Sequence, residues 1–180
     1  SKRSDVDPFI VMDVMESARI AEEKGKDIIH MEVGQPGTPA PKIAKDYITN
    51  EINKNNLGYT VSLGLPALRT KISKLYGDWY NLDLNPNRIV VTTGSSGAFI
   101  LSFSALFDSG DRVGIGSPSY PSYRQILKSL SLETVDIQTK LQNRFQPVPE
   151  DITNNNLNGI LVASPANPTG SMLDLSLIHI

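Results

Sequence analysis

Three short stretches of this chain hold residues whose types and spacing could do chemistry. The first is Thr93-Gly94-Ser95-Ser96-Gly97, a turn of Gly, Ser and Thr, entered by the apolar run Ile89-Val90-Val91 and left by Ala98-Phe99-Ile100-Leu101. Small residues let backbone N–H groups come close to a ligand, and a helix that starts there aims its orphan N–H groups and positive dipole end at the turn. That is the build of an anion site, most often for a phosphate. The dipole contributes roughly 0.3–1 kcal/mol per charge, up to about 2 when partly buried. A plain strand-to-helix turn with Ser95 as its N-cap fits the same residues. The second stretch, Gly116-Ser117-Pro118-Ser119-Tyr120-Pro121-Ser122-Tyr123, is a loop stiffened by prolines that presents two tyrosines. The third, Ser164-Pro165-Ala166-Asn167-Pro168-Thr169-Gly170, sets an asparagine amide between two prolines.

Composition removes several chemistries. The absence of cysteine excludes disulfides, Cys-zinc sites and thiol catalysis, and suits a reducing compartment. His30 and His179 are the two histidines, so a His-rich metal site is excluded and a Ser-His-Asp triad would have to use one of them. Charge is balanced, 17 basic against 19 acidic residues, which favours neither nucleic acid nor an anionic membrane as partner. The longest apolar-leaning run, Gly97 to Phe107, is too short to span a bilayer.

The elements that must position these stretches read from periodicity. Asp7-Pro8 looks like a cap with Pro at the first helical position, followed by apolar residues at helical spacing and closed by Gly25. Ile28 to Val33 reads as a strand running into a Gly- and Pro-dense loop, and Pro41 opens a helix to about Asn53. An amphipathic helix runs from Pro66 to Tyr80, with Leu68, Ile72, Leu75, Tyr76 and Trp79 on one face. Arg88 to Thr92 reads as the strand feeding the Gly-Ser turn. A helix from about Ser96 to Phe107, a strand Arg112 to Ile115, a helix Tyr123 to Leu130, a strand Glu133 to Ile137, a helical turn near Glu150 and a strand Gly159 to Ala163 follow. Alternation of this kind predicts an α/β fold with a largely parallel sheet, whose ligands sit beyond the carboxyl ends of the strands. All three stretches leave strands at that end, so they should converge on one crevice.

Taken in this order, the three loops resemble those of the class I/II pyridoxal-phosphate-dependent aminotransferases, which have fold type I. Ser164-Pro-Ala-Asn-Pro-Thr-Gly170 carries the resemblance furthest. Val33-Gly34-Gln35-Pro36 and Gly58-Tyr59-Thr60 with Gly64-Leu65-Pro66-Ala67-Leu68-Arg69 match two further landmarks. The resemblance implies a three-layer large domain with a mostly parallel sheet and pyridoxal 5'-phosphate as cofactor. It implies that Ser95 and Ser96 hold the cofactor phosphate and that Gly94 lets the backbone approach. Tyr120 would stack on the pyridine ring. Asn167 would donate to the phenolic oxygen, Gly34 would sit by the substrate carboxylate, and Tyr59 would reach across a homodimer to the partner's phosphate. Bland readings stand beside these: a core tyrosine, a turn asparagine, a turn glycine and a packing tyrosine. Arg69 reads as structural.

The resemblance also implies what to expect of the organisation. Residues 1–34 would belong to a small domain and 35–173 to an incomplete cofactor-binding large domain, while 174–180, which departs from the family's pattern, reads as a non-native tail in which His179 has no role. The family's Schiff-base lysine, its ring-nitrogen carboxylate and its substrate-clamping arginine lie beyond Asn-Pro-Thr-Gly. Lys71, Lys74 and Lys128 read as solvated helix residues. The expectation is therefore about half of a cytoplasmic aminotransferase acting on amino acids and 2-oxo acids, with no metal, nucleic acid or membrane partner, and with no transamination by the 180 residues alone. Another fold type I reaction, such as β-lyase or decarboxylase chemistry, and a non-catalytic cofactor-binding fragment remain alternatives. A nicotinamide-dependent oxidoreductase fits less well, since neither Gly-containing turn has the later glycines of that pattern.

Overall fold

Alternating small and β-branched residues make Arg-Val-Gly-Ile-Gly-Ser the central strand β1, Arg112–Ser117. In the computed structural model, which describes residues 1–178, β1 is flanked by β2 (Glu133–Gln138) and β3 (Gly159–Leu161) in the order β2-β1-β3. Both pairings are parallel, with Val113 opposite Thr134 on one side and Gly159 on the other. The α/β alternation and the parallel sheet are as expected. The strand after Asn158 is shorter than predicted, ending at Leu161 rather than Ala163. The chain divides into two units, Ser1–Glu16 with Thr93–Ile180, and Ser17–Thr92.

In the first unit the helices α4 (Gly94–Leu106) and α5 (Ser122–Ser129) pack against the sheet. Val113 and Ile115 of β1 and Leu127 of α5 are fully buried, and Phe103, Tyr123, Ile126 and Leu132 complete the core. Each such aliphatic side chain contributes roughly 1.5–3 kcal/mol by leaving water. Arg124 on α5 straps the helix to β2 through two bonds to Asp136, at 2.5 and 2.6 Å. Short helices α6 (Pro149–Asn154) and α7 (Leu175–Ile178) follow, and Asp151 reaches back to the Val148 N–H at 2.8 Å to start α6. Gly159 begins β3 because the ring of Phe107 lies where a Cβ would stand, 2.4 Å away. His179 lies outside the described residues.

Helix α1 (Ile10–Glu23) begins later than the Asp7-Pro8 cap predicts, since its first turn closes from Met12 N–H to Phe9 C=O. The second unit holds α2 (Lys42–Lys54) and α3 (Pro66–Tyr80), both close to their predicted bounds. A 3-10 turn, Pro86–Arg88, is tied to α3 by the buried Arg69. Its guanidinium donates to the carbonyls of Pro86 and Ile89 and to Asn87 Oδ1, at 2.8–3.1 Å. Ser73 adds a bond to Leu84 C=O at 2.6 Å. Two predicted strands are absent. Ile28–Val33 and Arg88–Thr92 have no ladder. An apolar run becomes a strand only where another segment accepts and donates its backbone bonds. Val91 N–H bonds Leu63 C=O at 3.0 Å, and no described segment extends that contact into a ladder.

Candidate functional site

The Gly-Ser turn opens α4 at Gly94, two residues earlier than the expected start near Ser96. Gly94 has φ +75° with open space where a Cβ would stand. This left-handed conformation suits glycine and turns the chain sharply into the helix. Thr93 is the N-cap residue but makes no side-chain capping bond, and Ser95 is in the helix rather than capping it. The first-turn amides of Ser95 and Ser96 therefore donate no hydrogen bond to the Thr93 side chain. Gly94 and Ser95 are exposed and Ser96 is half-buried.

A run of ring contacts joins this helix to the second loop. Phe99, one turn into α4, meets Tyr123 edge-on with centroids 5.0 Å apart, and Tyr123 meets Tyr120 in the same way at 5.4 Å. Phe9 closes the run on the far side of Tyr120 at 6.2 Å. Such contacts are worth about 0.5–1.5 kcal/mol each beyond burial. They give Tyr120 a fixed place relative to α4. Burial, with Tyr120 beside it, pushes the Tyr123 phenol above its usual range, so it stays protonated. Tyr120 is half-buried among these rings.

The second and third loops meet because β1 and β3 are parallel neighbours. A shallow cleft open to solvent is lined by Gly116, Pro118 and Ser119 from one loop and by Ala166 and Asn167 from the other, with Ala163 just ahead of it. The Ser117–Pro118, Ser164–Pro165 and Asn167–Pro168 peptide bonds are cis. Asn167 is exposed at the tip of its loop. The loop is closed below it by Gly170 N–H to Ala166 C=O at 2.7 Å and by Ala166 N–H to Ser171 C=O at 2.8 Å. Neither Tyr120 nor Ser95 and Ser96 line this cleft.

Sequence reasoning missed Gln146. Its side chain is 3 % exposed and lies in the cleft lining. The amide nitrogen donates to Ala163 C=O at 3.2 Å and Ser171 C=O at 3.0 Å, with Ser171 Oγ 3.2 Å away. The visible signal was a polar residue between Phe145 and Pro147 in an apolar setting, which is too common to single out a site.

Gly34 and Tyr59 belong to the second unit. Gly34 is exposed, follows Val33 in a turn closed by Gln35 N–H to Val33 C=O at 2.9 Å, and has open space around its Cα. Tyr59 is fully exposed. Upstream of Gly34, His30 is held between two carboxylates, Glu32 at 2.6 Å and Glu22 at 2.9 Å. Those bonds, Glu32 first, raise its pKa to about 9. The same bond holds the Glu32 carboxyl below its usual range.

The geometry can be set beside known proteins. A family model described as aminotransferase class I and II matches residues 26–179. The valine–pyruvate aminotransferase of Mycobacterium tuberculosis is 42 % identical over 173 residues, covering 95 % of this chain and 45 % of that protein. The (5-formylfuran-3-yl)methyl phosphate transaminase of Methanocaldococcus jannaschii is 34 % identical over 166 residues, 92 % of this chain and 44 % of that one. A solved aminotransferase structure from Mycobacterium tuberculosis superimposes with a TM-score of 0.92 at 40 % identity, covering 99 % of this chain and 46 % of its own. This chain spans about half the length of the curated relatives it matches.

Proposed function

This chain belongs to the class I and II aminotransferases, and from that premise we propose that the full-length protein moves an amino group from an amino acid to a 2-oxo acid, with pyridoxal 5'-phosphate as cofactor. The observation that carries the reading is the junction of the Gly116–Tyr123 and Ser164–Gly170 loops at one cleft, at the carboxyl ends of neighbouring parallel strands. The residues present fit the cofactor. The left-handed Gly94 leaves the approach to α4 open, and the first turn of that helix has amides that its N-cap side chain does not engage.

Bound here, pyridoxal phosphate would supply an electron sink for the substrate's α-carbon. The amides and hydroxyls of Ser95 and Ser96 bind its phosphate, and Gly94 lets them come close. Tyr120 offers a ring face held by its neighbours. Asn167 donates its amide to the phenolic oxygen and favours its anionic form. Gly34 leaves room for the substrate carboxylate. In a homodimer, Tyr59 reaches the partner's cofactor phosphate. The lysine that carries the cofactor, the carboxylate at its ring nitrogen and the arginine that clamps the substrate lie outside residues 1–180. We assign 1–34 to a small domain, 35–173 to part of the cofactor-binding domain and 174–180 to a segment without a role in the site, in a cytoplasmic enzyme. No helix among the described residues is long and apolar enough to cross a membrane.

The names of the two curated relatives imply different substrates, so the donor is tested rather than assumed. The full-length protein with pyridoxal phosphate is incubated with single amino acids, valine and aspartate among them, and with pyruvate or another 2-oxo acid. The expected result is a new amino acid formed one for one with the donor's 2-oxo acid. Release of ammonia or carbon dioxide without amino transfer would overturn the assignment in favour of a lyase or a decarboxylase.

A further inference from the structure

We infer that Gln146 is a positioning residue for Asn167, setting the reach of the Asn167 amide through the stems of its loop. The inference rests on the proposed cofactor site. Gln146 is a neutral polar side chain buried to 3 % exposure, and a group so placed is expected to be hydrogen-bonded. Its amide nitrogen spans the base of the Asn167 loop. One bond goes to Ala163 C=O, where the chain leaves the β3 side, and one to Ser171 C=O, where the loop returns. Two carbonyl acceptors fix which end of the amide is the NH2 group.

The stem it clamps is the one that shapes the tip. Ser171 C=O also accepts the Ala166 N–H at 2.8 Å, and Ala166 C=O accepts the Gly170 N–H at 2.7 Å. Thr169 Oγ1 and Ser171 Oγ are 2.8 Å apart, and Leu173 N–H bonds Ser164 Oγ at 3.0 Å. Asn167 therefore stands on a closed frame whose two ends meet at a single side chain. The local backbone is held away from its ordinary preference to deliver that side chain. Arg144 and Phe145, neither of them glycine, have φ +51° and +56° immediately before Gln146. Consecutive left-handed residues of this type are uncommon and persist where the surroundings over-determine them. Gln146 N–H is itself fixed to Asn143 C=O at 2.9 Å. Gln146 is hydrogen-bonded on both sides, to a reversed turn below and to the stems of the asparagine loop above.

The test is a pH titration of the bound cofactor's absorbance in the full-length holoprotein. Asn167→Ala removes the donor to the phenolic oxygen, so the oxygen holds its proton more tightly and the apparent pKa rises by about one unit. Gln146→Met fills the same volume without the amide. The expected result is a rise of the same sign and at least half that size, with the double variant no higher than Asn167→Ala alone. If Gln146→Met does not yield folded holoprotein, Gln146→Asn keeps the amide but shortens its reach, and the same rise is expected of it. A lower melting temperature with an unchanged titration would mean a purely structural role and overturn the inference, while leaving the site reading intact. An unchanged titration in Asn167→Ala would overturn the reading of Asn167, and this inference with it.

Discussion

Gly94 holds its left-handed φ where the chain turns into α4, and that conformation is the feature a side chain would disturb most. Gly94→Ala has open space for its methyl group, so the penalty is backbone strain of about 1–2 kcal/mol. Relaxing the strain turns the Ser95 and Ser96 amides away from a phosphate. The expected outcome is about tenfold weaker pyridoxal phosphate binding by equilibrium titration of the full-length protein, with a loss of fold stability no larger than that strain. Unchanged affinity would remove Gly94 from the site. His30 makes a different prediction. Its pKa is raised to about 9 by Glu32 and Glu22, against about 6.5 for an ordinary histidine. The folded state therefore binds the proton more tightly than the unfolded one. The stabilisation is fully present below about pH 6.5 and is lost as pH rises through about 9. A proton NMR titration of the His30 ring should give a midpoint near 9, falling toward the ordinary value in Glu32→Gln and at high salt. A midpoint near 6.5 in the unaltered protein would contradict the clamp. At this scale the turn at Gly94 and the loop that carries Asn167 were legible, because glycine ahead of a helix and asparagine before proline mark turns. Gln146 was not, because its work depends on carbonyls at Ala163 and Ser171, which sequence spacing does not bring together.

Helix α3 and the segment after it are joined by the side chains of Arg69 and Ser73. Arg69 is 7 % exposed, and its fork satisfies carbonyls of Pro86 and Ile89. Arg69→Ala leaves those carbonyls without their donor and should cost about 3 kcal/mol. Arg69→Lys should recover less than half, since an ammonium lacks the planar fork. Denaturant midpoints of the full-length protein measure both. A loss under about 0.5 kcal/mol for the alanine variant, the size of an ordinary surface change, would contradict this account. The segment just beyond, Arg88–Thr92, shows what sequence could not tell. Its β-branched residues read as a strand, and the Ile89 backbone is extended (φ -106°, ψ 126°). The ladder is missing because pairing is a property of two segments. Ile28–Val33 differs for the same reason. Periodic elements transferred well: α3 has its predicted bounds, and β1, β2 and the helices around them start within about two residues of expectation, the usual uncertainty of an element end. Helix α4 starts two residues early, because Gly94 rather than a serine makes the turn.

Across the molecule, the composition of α4 is at odds with its surroundings. A helix apolar on all sides belongs in an interior, yet Ile100, Leu101 and Leu106 are exposed, as are Val90 and Val91 before it. The chain spans about half the length of the curated relatives it matches. On the proposed function, the remainder of the full-length protein would cover those faces and supply the lysine that carries the cofactor. Sequence made the loop order legible, and with it the family; the covering surfaces were not, because burial is set by residues elsewhere. Borohydride reduction of the full-length holoprotein, followed by intact mass and peptide mapping, tests whether the cofactor is held as proposed. Reduction locks a lysine–cofactor imine into a stable adduct. The expected result is a gain of one reduced pyridoxal phosphate per chain, carried by a lysine outside residues 1–180, and loss of most of that gain in Gly94→Val at limiting cofactor. No adduct on the unaltered protein, or an adduct on a lysine within residues 1–180, would contradict it.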